Sequence, residues 1–259
     1  MCSMEKKARD HGRQLAEKLV RKPFFDHAWS SQPRMDAEEL AWALQFIDDH
    51  FFLIRSENDA LPSVDWVLER AKSAVLRYGI RGLVIDPYNE LDHRRPPGQT
   101  ETEYVSQMLT KVKRFAQYYD VHVWFVAHPR QLRDWHGAAP TLYDISGSAH
   151  FINKADNGVI VHRNRDTQDP VKKREVSILI RKVRNKMAGT IGESVLVYDR
   201  ATGTYRDPAP ERLAELGHRA GDDKAAWDVP DTPGGSLGRL PGGGMAYPGQ
   251  TADEIRGAS

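Results

Sequence analysis

The sequence has little cysteine and no long hydrophobic run. Cys2 is the single cysteine, which excludes an internal disulfide framework and a multi-thiolate metal site and fits a reducing compartment. No apolar run approaches the roughly 20 residues that a membrane-spanning helix needs, and the N-terminus lacks the basic-then-apolar pattern of a secretory signal. We therefore expect a soluble, intracellular protein that does not contact a membrane.

An excess of charge of one sign is also missing, because 37 Lys and Arg residues balance 36 Asp and Glu residues. The charges are unevenly spread, however: residues 163 to 186 contain nine Lys or Arg and three acidic residues. A cluster of positive charge attracts a polyanion such as a nucleic acid. The alternative at this point is a solvated, charged hairpin.

The C-terminal part differs in composition from the rest. Residues 229 to 250 contain seven Gly and four Pro and almost no side chain that could be buried. Such a segment cannot offset the entropy that is lost on ordering. We therefore divide the chain into a folded core, residues 1 to 205, and a mostly disordered Gly/Pro-rich tail, residues 206 to 259, with one short helix near residues 211 to 218.

Upstream of the tail, amphipathic helices alternate with apolar strands. Asp36 with Glu39 and Thr100 with Glu103 form capping-box patterns, which predict two helix starts. The periodicity predicts helices over residues 5–22, 36–49, 62–78 and 100–119, strands over residues 51–55, 81–86, 121–127, 157–163, 176–182 and 193–198, and a hairpin turn at 199–203. This order indicates an α/β fold: a mainly parallel sheet covered by helices on both faces, with antiparallel strands at the C-terminal side.

Three polar residues lie at the ends of apolar strands: Asp86 follows Ile85, His128 follows Ala127, and Glu5 follows Met4, which we take as the end of a first short strand. Ligands of parallel sheets bind beyond the carboxyl ends of the strands, so the three side chains are expected at one edge. Asp86 could hold a nucleotide-bound Mg²⁺, Glu5 could deprotonate a water, and His128 could contact a γ-phosphate. Taken singly, each has a structural alternative: a turn cap, a first-turn acid favoured by the helix dipole, and a histidine bonded to a backbone carbonyl.

Three loops carry basic residues. Residues 89 to 99 contain Arg94 and Arg95, residues 129 to 137 contain Arg130, Arg133 and Trp135, and residues 166 to 174 end in Lys172, Lys173 and Arg174. Basic and aromatic side chains together can bind the phosphates and bases of a single strand. The alternative is that these are ordinary surface loops.

Five segments closely resemble successive motifs of the Twinkle branch of DnaB-type ring helicases, the group that includes phage primase-helicases. They are CSME at residues 2–5, RGLVIDPYNEL at 81–91, VWFVAHPR at 123–130, YDISGSAHF at 143–151 and RKVRNKMAGTIG at 181–192. The resemblance covers about residues 1 to 205. It implies a RecA-like fold, a homo-hexameric ring with ATP sites between subunits, and ATP-dependent 5′-to-3′ movement on single-stranded DNA during replication.

Carried over position by position, the resemblance assigns roles to single residues. It implies that Glu5 is the catalytic base, that Asp86 is the acid linked to Mg²⁺ through water, and that His128 senses the γ-phosphate of ATP. Arg184 would be an arginine finger reaching the ATP of the neighbouring subunit, with Lys182 beside it and Asn185 at the nucleotide. The three basic loops would line the DNA channel. Arg181 faces away from Lys182 by strand alternation, which favours a structural role.

One motif of this family is missing. No G-x-x-x-x-G-K-[ST] occurs in the 259 residues, although this loop supplies most of the phosphate contacts in such enzymes. In the family it lies just upstream of the strand that ends in CSME. We therefore expect a longer form that carries the loop, and a primase-like region upstream is left open. A reading frame that encodes the motif upstream of Met1 would support this expectation, and a stop codon directly before Met1 would contradict it.

The missing motif keeps a second function open, namely a non-catalytic subunit that binds single-stranded nucleic acid or assembles a ring. A RecA-fold recombination or clock-type ATPase is a third alternative, which the segments HPR and RNKMAGTIG disfavour. The resemblance implies a cytoplasmic, nucleoid-associated location if the source is a bacterium or phage, and an organellar one if the source is a eukaryote.

Overall fold

A computed structural model describes residues 1–55, 61–130, 137–145, 149–187 and 189–216. The α-helices are α1 (Ala8–Val20), α2 (Ala37–His50), α3 (Val64–Tyr78), α4 (Glu101–Tyr119), α5 (His150–Lys154) and α6 (Pro210–Glu215). The strands are β1 (Cys2–Ser3), β2 (Gly82–Asp86), β3 (His122–Phe125), β4 (Asn157–His162), β5 (Glu175–Val183), β6 (Gly192–Tyr198) and β7 (Tyr205–Arg206). Short 3₁₀ helices cover Tyr88–Glu90, Leu142–Asp144 and Lys172–Arg174.

The strands form two sheets. The first is parallel, in the order β1-β2-β3, and the second is antiparallel, in the order β4-β5-β6-β7. The predicted α/β class, with antiparallel strands at the C-terminal side, is confirmed. The predicted hairpin turn joins β6 to β7, where the Asp199 N–H donates to the Thr204 carbonyl at 2.8 Å.

The two capping boxes form as predicted. The Asp36 side chain accepts from the backbone N–H of Glu39, and the Glu39 carboxylate accepts in return from the N–H of Asp36. Thr100 and Glu103 repeat the arrangement at the start of α4. These reciprocal bonds satisfy N–H groups that have no partner within the helix.

One face of the parallel sheet carries the main core. Leu83 and Ile85 of β2 are fully buried and pack with buried residues of α3 and α4, of which Val67 and Met108 are examples. A smaller cluster joins α1 to α2. Burial of the side chains in the main core holds α3 and α4 on the sheet.

The opposite face of the parallel sheet is more open. Trp124 pairs with Val84 and points away from the core; it is 57% exposed, and Val126 is 37% exposed. Among the described residues, this face is therefore left uncovered at Trp124 of the edge strand β3. Helices α1 and α2 pack against each other around Ala16 and Ala43.

The predicted strand at residues 51–55 is wrong. Ile54 forms an isolated parallel bridge to Cys2, and the Phe52 carbonyl accepts from the amino group of Met1 at 2.6 Å, but no strand forms. Because β1 is two residues long, it offers little backbone for a further strand to follow. Helix α5 was not predicted from the sequence.

The chain divides into two units, the first ending at Pro208 and the second beginning at Ala209. In the second unit the structure describes α6, which corresponds to the short helix predicted near residues 211 to 218. Most of the predicted tail lies outside the described residues. No helix among the described residues is long and apolar enough to cross a membrane.

Candidate functional site

The parallel sheet brings three chain segments to one edge. Ser3 of β1 is paired with Asp86 of β2, and Ile85 is paired with Phe125 of β3. The backbone bonds continue past the strands, because the Met4 N–H donates to the Asp86 carbonyl at 3.1 Å. All three strands run in the same direction, so Glu5, Asp86 and His128 follow carboxyl ends at the same edge.

Glu5 and His128 are in direct contact. His128 Nε2 lies 3.1 Å from Glu5 Oε1, and the two side chains are 53% and 43% exposed. The contact is within hydrogen-bonding distance. A carboxylate and an imidazole from the two outer strands therefore meet at the edge of the sheet, where solvent and a ligand can reach both.

Asp86 ends the central strand, between the strands that carry Glu5 and His128. Its side chain is half-buried. Among the described residues, no cluster of three His, Cys, Asp or Glu side chains could hold a metal by itself. A single carboxylate such as that of Asp86 is compatible with an ion that fills its remaining positions with water and phosphate, as Mg²⁺ does with nucleotides.

Asn89 fixes the backbone of His128, a role that sequence reasoning missed. The Asn89 side-chain oxygen accepts from the His128 N–H at 2.8 Å. Next to it, the Tyr88 N–H donates to the Val126 carbonyl at 2.7 Å, and the ring of Tyr88 is buried against Phe151. Burial raises the pKa of Tyr88 to about 12. The loop after β2 is thus anchored to the chain segment after β3.

His11 and Ser3 lie beside the same edge. Both line a cleft of about 320 Å³ that also includes Glu5. The His11 Nε2 and Ser3 Oγ atoms are buried and have no hydrogen-bond partner among the described residues. Burial lowers the pKa of His11, which favours the neutral imidazole. Sequence periodicity placed His11 only on a helix and gave no sign of its position here.

Arg184 and Lys182 lie at the C-terminal end of α5. Arg184 forms an ion pair with Asp156 and donates to the carbonyl of Asn153, and Lys182 donates to the carbonyl of Ile152. The structure therefore brings Arg184 and Lys182 together, and it joins them to an acid that the sequence had not singled out.

The residues around this pair have local partners. The side chain of Asn185 accepts from the Met187 N–H at 3.0 Å, so it caps a turn on the surface. Arg181 pairs with Glu193 of β6 at 2.9 Å, which agrees with the structural position that alternation predicts for it. The nucleotide contact expected for Asn185 stays a prediction.

The basic loop residues that the structure describes are exposed. Arg94 and Arg95 lie at the surface after the buried Leu91, which anchors the loop. Arg130 is exposed and lies 3.4 Å from Asp144. The basic run Lys172–Arg174 forms a surface 3₁₀ helix. Arg133 and Trp135 lie outside the described residues.

Comparison with known proteins finds a curated sequence relative and solved structures of similar fold. No family profile matches the sequence. The curated "Twinkle homolog protein, chloroplastic/mitochondrial" of Arabidopsis thaliana is 65% identical over 209 residues, which are 80% of this chain and 29% of that protein. The chain therefore spans less than a third of the length of this relative.

Two solved structures share the fold. One is an ATPase domain, which superposes with a TM-score of 0.64 and 20% identity, covering 80% of this chain and 73% of that one. The other is a DnaB-like replicative helicase, studied with its interactions with primase, which superposes with a TM-score of 0.65 and 20% identity, covering 80% of this chain and 51% of that one. At this identity the likeness shows the fold alone.

Proposed function

This chain is related by sequence to Twinkle and by fold to DnaB-type helicases, and on that premise we propose that it forms the ATPase core of a replicative helicase. In this proposal a homo-hexameric ring moves 5′ to 3′ along single-stranded DNA and hydrolyses ATP between its subunits. The observation that carries the proposal is the contact between Glu5 and His128 at the sheet edge where Asp86 ends the central strand. A base and a hydrogen-bonding imidazole beside a metal-binding acid suit phosphoryl transfer to water.

Each residue at the edge has a distinct task in this scheme. Glu5 orients the attacking water and accepts its proton. His128 contacts the γ-phosphate, and its contact with Glu5 links the presence of that phosphate to the base. Asp86 would hold, through water, the Mg²⁺ that accompanies ATP, and that ion would supply positive charge against the phosphates. Asn89 keeps the His128 backbone in place through its 2.8 Å hydrogen bond.

Arg184 and Lys182 act on the neighbouring subunit. A guanidinium is permanently charged and suits stabilisation of the charge that develops during phosphoryl transfer. The Arg184 side chain is 49% exposed, so it is accessible to a second subunit. Hydrolysis in this scheme requires a complete interface, with the base from one chain and the arginine from the next.

A second candidate is a subunit that binds single-stranded nucleic acid or supports a ring without hydrolysing ATP. This candidate needs no G-x-x-x-x-G-K-[ST] loop, which cradles the β- and γ-phosphates, and the exposed Arg94 and Arg95 would suit it. In the helicase proposal, a phosphate-binding loop outside these residues completes the site. The name of the Arabidopsis relative gives chloroplast or mitochondrion as its location, and we extend an organellar location to this chain if its source is a eukaryote.

ATP hydrolysis, measured with and without single-stranded DNA, separates the two candidates when the protein tested includes the phosphate-binding loop, and all activity tests below use that form. The helicase proposal expects DNA-stimulated turnover that Glu5→Gln abolishes. Glu69→Gln on the exposed surface of α3 is the matched control and should leave turnover unchanged. Mixing Glu5→Gln chains with Arg184→Ala chains should restore part of the activity, because each defect lies in a different chain. Salt-sensitive DNA binding without turnover would favour the second candidate.

DNA binding by the exposed loop after β2 is tested through its salt dependence. The logarithm of the binding constant falls with the logarithm of salt concentration by about 0.7 for each phosphate contact to a single strand. The double variant Arg94→Ala, Arg95→Ala should therefore lower the slope by up to about 1.4. Arg77→Ala, an exposed arginine on α3, is the control. An unchanged slope in the double variant would exclude these two residues from the DNA contact.

A further inference from the structure

Four charged side chains gather at the C-terminal end of α5. Lys113 of α4, Lys182 of β5 and Arg184 supply three positive charges, and Asp156 supplies one negative charge. The last carbonyl groups of a helix have no partner within that helix, and they carry partial negative charge that favours cations. The end of α5 is therefore a natural place to hold basic side chains.

Arg184 is held along one edge of its guanidinium. Its Nε lies 2.7 Å from Asp156 Oδ1, and its Nη2 donates to the carbonyls of Asn153 at 2.9 Å and Ala155 at 3.3 Å. The backbone supports the arrangement, because the Arg184 N–H donates to the Asp156 carbonyl at 2.8 Å. A planar guanidinium fixed through two of its nitrogens has a defined orientation.

The other two cations are anchored at the same place. The Lys182 ammonium donates to the carbonyl of Ile152, and burial, together with the nearby charge of Arg184, lowers the pKa of Lys182. Lys113 reaches Asp156 Oδ1 at 2.6 Å, so one carboxylate oxygen bridges two cations. Three positive charges around one negative charge leave a local positive excess, which suits an anion.

We propose that Asp156 is a positioning residue that orients Arg184 toward a phosphate bound by the neighbouring subunit. The inference rests on the proposed function, in which Arg184 acts on that subunit. A side chain that is fixed before the substrate arrives needs no reorganisation during the reaction. A preorganised charge therefore stabilises the transition state without that cost. Asp156 does not touch the substrate in this scheme, and its effect passes through Arg184.

The kinetic test compares Asp156→Asn with a matched control. Asp65→Asn removes an exposed acid that is paired at 2.8 Å with Lys111, another lysine of α4. We expect Asp156→Asn to lower kcat for ATP hydrolysis by about 10- to 100-fold, with KM changed less than about threefold, because the phosphate contact is misplaced while ATP binding remains. Asp156→Glu should recover part of kcat, and Asp65→Asn should match the wild type. A wild-type or raised kcat in Asp156→Asn overturns the proposal.

Mixed rings show which active site the defect affects. A ring that contains Asp156→Asn and Glu5→Gln chains includes interfaces where an intact Glu5 meets an intact Arg184 from the next chain. We expect mixing to restore turnover. If the mixture of Arg184→Ala with Glu5→Gln is restored and this one is not, Asp156 acts within its own subunit's site and the proposal is wrong.

A measurement without turnover distinguishes this inference from the proposed function. The Nε–H group of Arg184, assigned in NMR spectra by its loss in Arg184→Lys, should exchange slowly with water in the wild type and faster in Asp156→Asn. Asp65→Asn should keep the wild-type rate. If the wild type hydrolyses no ATP, the proposed function fails, and the exchange rates still decide whether Asp156 holds Arg184. Equal rates in the wild type and Asp156→Asn overturn that claim.

Discussion

Leu83 tests the core that carries the candidate site. It lies on β2, the central strand of the parallel sheet, its side chain is 0% exposed, and the strand ends at Asp86. Replacing a fully buried Leu by Ala removes favourable burial and leaves a cavity, at a cost of about 2–5 kcal/mol. We expect Leu83→Ala to lower the free energy of unfolding by that amount, and to lower Tm by about 4–20 °C at roughly 2–4 °C per kcal/mol.

Leu76 on α3 is the matched control for this substitution. It is 71% exposed, so less than a third of its surface is buried. Scaling the value of about 1.5–3 kcal/mol for full burial by this fraction gives less than about 1 kcal/mol for Leu76→Ala. Urea unfolding followed by far-UV circular dichroism measures both changes. Equal costs for the two variants would refute the placement of β2 at the centre of the core.

Two further predictions concern a turn and the pH dependence of stability. Gly137 has a φ of +82°, and a Cβ there would lie 2.7 Å from Asn164 Oδ1, so Gly137→Ala should destabilise the fold by about 1–2 kcal/mol in urea unfolding. Gly98→Ala, where φ is +85° without a close neighbour, should cost less, and an equal cost would contradict the clash. Burial lowers the pKa of His11 and His93 from the ordinary value of 6.5. As pH decreases below 6.5, the histidines of the unfolded chain are protonated before those of the folded chain. The free energy of unfolding should therefore fall as pH decreases from 6.5 toward the lowered pKa values of the folded chain. In urea titrations His11→Gln should flatten this fall, and a slope equal to that of the wild type would contradict the burial of His11.

The structural features that could be predicted well from the sequence are those that depend on neighbouring residues. The capping boxes at Asp36 and Thr100 each depend on a residue three positions later, and both form. The strand expected at residues 51–55 failed because apolar composition indicates a tendency, whereas pairing depends on a distant partner. Ile54 forms a single bridge, to Cys2 of a strand of two residues. Helix α5 has five residues, too few for a helical period to be recognised.

The candidate site was predictable where a general rule of sheets applied. Parallel strands place their carboxyl ends together, so Glu5 and His128 could be expected at one edge. No comparable rule indicates that Asn89 meets the His128 backbone across 39 residues. The same is true of Asp156 and Arg184, whose ion pair depends on where α5 ends relative to β5. Supporting contacts of this kind are set by tertiary packing, which periodicity does not encode.

The contact between Glu5 and His128 joins residues that are 123 positions apart. A contact of such long range closes a large loop, and its entropic cost is repaid only when the intervening strands and helices have assembled. The imidazole resonances of His128 are therefore a single-residue reporter of completed topology during refolding. A chain that had regained all its helical circular dichroism without this contact would not yet have a site.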